Sequence, residues 1–163
     1  MDRSIHKNHN LSMKTFNSVD EILDFAMQAE QEAVDFYTRL AERMKSKQIQ
    51  DIFLQFAQEE VGHKARLQKI KEEKIFDMDV GKVQDLKIAD YLVSVQPSDD
   101  MEYAEALILA MKKEKAAFKL YTALSERTEV PELKQVFQAL AVEESKHKLR
   151  FELEYDEFVM REN

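Results

Sequence analysis

The chain has no cysteine and no tryptophan, and its 163 residues include only two glycines and two prolines. Without cysteine there is no disulfide, no thiolate metal site and no redox thiol. Scarce glycine and proline, with abundant Ala, Leu, Glu, Lys and Gln, point to an all-α fold. No apolar run approaches the ~20 residues that span a bilayer, so no membrane segment is expected. Basic charge is not in excess either. The formal net charge is −8, which argues against nucleic acid or an anionic membrane surface as partner. Residues 1–12 are polar and lack the apolar core of a signal peptide, so a cytoplasmic location is the default expectation. At this length one domain with a sizeable core is expected. Residues 1–17 read as a disordered tail, in which His6 and His9 carry little weight as ligands, and residues 18–163 read as the domain.

Ser18-x-x-Glu21 is a capping-box pattern that opens a first helix, with apolar periodicity from Val19 to about Met44. After the polar break Lys45-Ser46-Lys47, a second periodic run extends from Ile49 to Ile70. Residues 73–100 lose the helical period; an apolar cluster at Leu86, Ile88, Tyr91 and Leu92 fits a brief helix. Asp99-x-x-Glu102 reads as a second capping box, opening a third helix from about Asp100 to Arg127. Pro131 suits the first turn of a fourth helix, which runs to about Val159. The chain is thus two helical hairpins, 18–72 and 100–160. The crossover joining them, 73–100, is long enough to recross a bundle.

Within the first helix, Leu23, Ala26, Glu30, Ala33, Tyr37, Leu40 and Met44 share one face. The stripe recurs 84 residues later as Leu107, Ala110, Glu114, Ala117, Tyr121 and Leu124. The repeat needs no gap: residues 26–66 and 110–150 are identical at 16 of 41 positions. An ionised carboxylate in an apolar core is costly unless something positive faces it. Two in the same register point to a cation between the helices. The second helix of each hairpin supplies Glu60-x-x-His63 and Glu144-x-x-His147, whose spacing puts both side chains on one face. Counted from a turn at Ser46, Glu30 and the Glu60/His63 pair fall at one height, and the second hairpin gives the same result from Val130.

One Glu from each of two helices and Glu-x-x-His from each of the other two is the inventory of a di-iron or di-manganese carboxylate bundle. The charges agree, since four carboxylates balance two divalent ions while neutral imidazoles add nothing. The expected metal ligands are therefore Glu30, Glu60, His63, Glu114, Glu144 and His147. Two iron ions are the expected cofactor, and the same ligands accept manganese or zinc. Tyr37 and Tyr121, on the same faces, are expected to hydrogen-bond to the ligand carboxylates or to pack in the core. Glu59 and Glu143 also repeat, and read as surface groups or as hydrogen-bond partners of a ligand.

Glu-x-x-Ala-x-x-x-Tyr followed by Glu-Glu-x-x-His, then both again, resembles the rubrerythrin branch of the ferritin-like superfamily over about residues 18–160. The resemblance implies a ferritin-like four-helix bundle with a di-iron site, a homodimer or higher homo-oligomer, and reaction with hydrogen peroxide or dioxygen. Family members proper reduce peroxide with electrons from a rubredoxin domain. This chain has no cysteine for such a domain, so an external electron-donor protein is expected. The family also carries a further Glu three residues after the third-helix ligand, where it takes part in a redox-linked shift of one iron. Here that position is Ala117. Three functions follow: a peroxide-reducing oxidoreductase, a ferroxidase that handles iron, and a metal-stabilised helical module that binds a partner.

Overall fold

Ser18 opens the first helix in the computed structural model, which describes residues 15–74, 78, 80–93 and 97–162. Its hydroxyl accepts the Glu21 N–H at 3.1 Å, while the Glu21 carboxylate takes the Asn17 N–H at 2.7 Å. Two otherwise orphaned donors are thereby satisfied. Helix α1 runs Val19–Glu42 and α2 Lys47–Glu73. Lys74 ends α2 in the left-handed region at φ 52°, a position more often held by glycine. The crossover holds a short helix α3, Val80–Gln84, and one 3-10 turn, Ile88–Asp90. Helices α4, Tyr103–Arg127, and α5, Pro131–Glu162, form the second hairpin. No strand occurs among the described residues, and no helix of theirs is long and apolar enough to cross a membrane.

Three sequence expectations are refined. The Asp99 capping box does not form. Residues 98–101 close a turn through Met101 N–H to Ser98 C=O, and α4 begins after Glu102, whose side chain makes no cap bond. Helix α5 continues three residues past Val159. Residues 1–14 of the expected tail, with His6 and His9, lie outside the described residues, whereas its last residues belong to the fold. Phe16 is 1% exposed and packs edge-on against Phe25, and Thr15 bridges to Lys87 of the crossover. Burying a phenyl ring contributes about 1.5–3 kcal/mol, enough to hold this short segment on the bundle.

The core is divided into two apolar clusters. One gathers Ile22, Leu23 and Ala26 of α1, Leu67 of α2, Leu120 and Leu124 of α4 and Phe137 of α5. The other gathers Tyr37 and Leu40 of α1, Phe53 of α2, Leu107 and Ala110 of α4 and Phe151 of α5. In every helix a short interval separates the two sets, and it holds Glu30, Glu60 and His63, Glu114, or Glu144 and His147. The order of the clusters along each helix gives the topology. Helices α1 and α5 run one way, and α2 and α4 the other. The crossover passes from the first cluster, at Met78, Val83 and Leu86, to the second, at Val93 and Met101. This is a four-helix bundle of two hairpins joined by a full-length crossover. The Arg43 guanidinium donates to the Met101 carbonyl and ties the end of α1 to the approach to α4.

Candidate metal centre

The polar layer between the clusters is buried. Glu30, Glu60, His63, Glu114, Glu144 and His147 are all 1–4% exposed. Glu154 is also buried, but it is held as an ordinary structural carboxylate by Tyr103 at 3.0 Å and Arg161 at 3.5 Å. The carboxylates of the central layer have no Arg or Lys within 4 Å among the described residues.

Their ligand atoms form two groups. Glu30, Glu60, His63 and Glu144 can each offer one atom so that all lie within 4.8 Å of one another; so can Glu60, Glu114, Glu144 and His147. Glu60 and Glu144 belong to both. His63 Nδ1 is 2.7 Å from Glu144 Oε1 and 3.4 Å from Glu60. His147 Nδ1 is 2.8 Å from Glu60 Oε1 and 3.7 Å from Glu114. The two imidazoles lie nearly parallel, with ring centres 6.1 Å apart.

Hydrogen bonds from the opposite half orient these groups. Tyr37 of α1 donates to Glu114 of α4, and Tyr121 of α4 donates to Glu30 of α1. The outer nitrogens of the histidines face carboxylates in the same crossed manner. His63 Nε2 lies 2.7 Å from Glu143, and His147 Nε2 pairs with Glu59. Arg66 holds Glu143 from the solvent side at 3.2 Å. A carboxylate on the outer nitrogen fixes the ring and makes the inner nitrogen a better donor to a metal. Sequence spacing left the roles of Glu59 and Glu143 open, since Glu59 is four residues from His63 and could have paired along its own helix. The recurrence of both beside the Glu-x-x-His motifs was the available signal.

Three buried polar atoms among the described residues make no hydrogen bond: Glu60 Oε1, Glu114 Oε2 and His147 Nδ1. All belong to the second group. Glu60 Oε1 and His147 Nδ1 are only 2.8 Å apart, yet they are not aligned for a hydrogen bond with each other. Buried groups left this way are expensive unless a ligand satisfies them. Oxygen and imidazole donors converging without a cation fit two metal ions of the iron, manganese or zinc type.

Without metal, protons take over the charge balance. Burial pushes Glu30 up to about 8, assisted by Glu60 and opposed by His63. Burial, then Glu114 and Glu30, hold Glu144 well above the usual carboxylate range. Burial and Glu114 press Glu60 upward too, but hydrogen bonds with Glu30, His147 and His63 outweigh them and lower it. Burial disfavours the imidazolium of His63, yet Glu30 and Glu60 raise it to about 10; His147 is raised to about 11 by Glu114 and Glu60 against the same burial. Tyr37 and Tyr121 are pushed well above the ordinary phenol range, first by burial and then by their carboxylate partners, so they remain hydroxyl donors.

A cavity of about 300 Å³ opens onto this layer between α1 and α4, and all four of its carboxylates line the floor. Ala117 is in its wall.

A model of the rubrerythrin family matches residues 21–92 and 105–163. A hypothetical protein from Pyrococcus furiosus has a similar structure, with a TM-score of 0.66 and 25% identity over 85% of this chain and 89% of that one. A Thermotoga maritima protein assigned as ferritin-like and diiron-carboxylate superposes with a TM-score of 0.71 at 21% identity, over 88% of this chain and 98% of that one. No curated protein matches the chain.

Proposed function

The chain belongs to the rubrerythrin family, and from that premise we propose that it is a di-iron oxidoreductase that reduces hydrogen peroxide. A separate protein supplies the electrons in this reading, since these residues include no cysteine for a rubredoxin-type centre. The observation that carries this reading is the pair of ligand groups sharing Glu60 and Glu144. Glu30, Glu60, His63, Glu114, Glu144 and His147 would hold two iron ions, with Glu60 and Glu144 common to both ligand groups. Iron bound there would supply the two electrons that, with two protons, convert hydrogen peroxide to two waters. Tyr37 and Tyr121 orient the terminal carboxylates, while Glu143 and Glu59 fix the imidazoles. The cavity between α1 and α4 gives peroxide a path to the layer.

Rapid mixing of anaerobically reduced protein with peroxide and with dioxygen tests the reading. Faster oxidation by peroxide, stalling after one turnover until a rubredoxin-like donor is added, is the expected result. Faster oxidation by dioxygen would favour a ferroxidase instead. One observation supports that alternative, since Ala117 brings no carboxylate to the cavity wall.

The same proposal includes a cytoplasmic homo-oligomer. Ile108, Phe118, Val142, Leu149 and Leu153 are exposed on the second hairpin. Their repeat equivalents in the first hairpin are Asp24, Val34, Gln58, Ala65 and Lys69, which form a far less apolar surface. The first hairpin exposes only Leu54 and Val61 among its large apolar side chains in the described residues, so the richer apolar surface of the second is the one an isologous contact between copies would use.

A further inference from the structure

The cavity over the central layer is larger than peroxide needs. Two waters' share of liquid volume is about 60 Å³ at ~30 Å³ each, against about 300 Å³ here. That volume sits at the lower end of the ~300–1,000 Å³ of small-molecule sites. Its walls are apolar and made roomy by short side chains. Phe25, Ala29 and Ala33 face it from α1, and Ala116, Ala117 and Leu120 from α4. The crossover contributes Tyr91 and Leu92.

The polar groups of the wall are unevenly engaged. Gln28 donates to Glu32 at 3.4 Å, so Glu32 has a partner on its own helix. Lys113 makes no close ion pair: no carboxylate lies within 4 Å of its Nζ among the described residues, Glu32 and Glu114 act on it only from farther away, and the ammonium stands 5.8 Å from the centre of the Phe36 ring. The repeat equivalent of Lys113 is Ala29, so this cation is an asymmetric addition to an otherwise symmetric site. A half-buried cation beside an apolar chamber complements one kind of molecule.

We propose that this cavity binds a small aliphatic monocarboxylate, with its carboxylate on Lys113 and its hydrocarbon body along Ala29, Ala33, Ala117 and Leu120. The site thereby holds an organic molecule directly over the metal layer. The inference rests on the metal reading in one respect: bound cations cancel the negative floor that would otherwise repel an anion.

Calorimetric titration of the metal-loaded protein with butyrate, hexanoate and octanoate tests this, with the primary alcohols of equal length as controls. Metal content is assayed on the same samples. Saturable binding of one carboxylate per chain is expected, tighter than that of the matching alcohol. Lys113→Met should weaken the carboxylate about tenfold or more and leave the alcohol unchanged. Ala117→Leu should abolish binding of both with two metals still present; Ala29→Leu, at the exposed mouth, serves if the first variant does not fold. Absence of saturable binding at any chain length, or indifference to both the charge and the volume changes, overturns the proposal. Failure to load metal would instead defeat the metal reading, and is recorded separately.

Discussion

His63 Nδ1 on α2 lies 2.7 Å from Glu144 Oε1 on α5, and His147 Nδ1 on α5 lies 2.8 Å from Glu60 Oε1 on α2. Each hairpin therefore presents its imidazole to the central carboxylate of the other. Neither hairpin contains a complete ligand group, because both groups take Glu60 from one half and Glu144 from the other. Site assembly and docking of the two hairpins are one event, so metal is expected to stabilise the bundle by binding only its native form.

Removing a shared carboxylate should damage both groups together. Glu60→Ala or Glu144→Ala is expected to reduce bound iron from two per chain to one or none, as read by elemental analysis after loading. Retention of two irons by either variant would show that the residue is not a bridge.

Tyr37→Phe and Tyr121→Phe delete one hydrogen bond each, to Glu114 and to Glu30. Metal affinity, measured by chelator competition, should fall about 10–100-fold in each variant. In the metal-free protein the abandoned carboxylate oxygen should cost about 1–3 kcal/mol in denaturant titration. Unaltered affinity in both variants would reduce the tyrosines to packing.

Stability of the metal-free protein should fall as pH rises. Glu30 keeps its proton to about 8 in the fold against 4.5 as its ordinary value. His63 and His147 keep theirs to about 10 and 11 against 6.5. Between those limits the folded chain binds more protons than the unfolded one, so each rise in pH favours unfolding. Their stabilisation is complete below the unfolded values, and its loss begins near 4.5 through Glu30 and ends near 11 through His147. Glu60, whose pKa is lowered, acts in the opposite sense and only at the acid end. Metal must displace these protons, so its affinity rises with pH. Melting curves should show the chelated form losing Tm between about pH 6 and 9 while its gap from the loaded form widens. A constant gap would mean that metal does not compete with these protons.

Ala117→Glu places a carboxylate one turn beyond Glu114, in the cavity wall. The ratio of peroxide to dioxygen oxidation rates of the reduced protein should rise in this variant. An unchanged ratio would remove Ala117 as a determinant of oxidant choice.

Leu149→Lys puts a charge into the exposed strip of the second hairpin, beside Phe118 in the same surface hollow. Light scattering should report a monomer where the unmodified chain gives an oligomer. A monomeric parent would end the oligomer proposal.

Periodicity settled much of this molecule in advance. Apolar residues at steps of three and four assign a buried face to each helix, and Glu30 and Glu114 stand out because they interrupt such faces. The ungapped repeat then requires the two halves to share a register. Termini were less legible: Asp99 has the residue type of a cap, but the turn at residues 98–101 moves the start of α4 to Tyr103. Phe16 had no periodic partner in sequence to mark it as buried, because its pocket is built from Phe25 and the distant crossover.

The sequence by itself determined the helices, the two hairpins, the crossover and the six residues at one height. Local spacing is enough for these, since a helix fixes which side chains share a face. Only the tertiary structure decided that Tyr37 reaches Glu114, that Glu59 serves His147 rather than His63, and that Ala29, Ala33 and Ala117 leave a chamber beside Lys113. Those outcomes depend on how one hairpin is rotated and set against the other. Packing of the two apolar clusters between residues far apart in the chain sets that relation, and no short-range spacing encodes it.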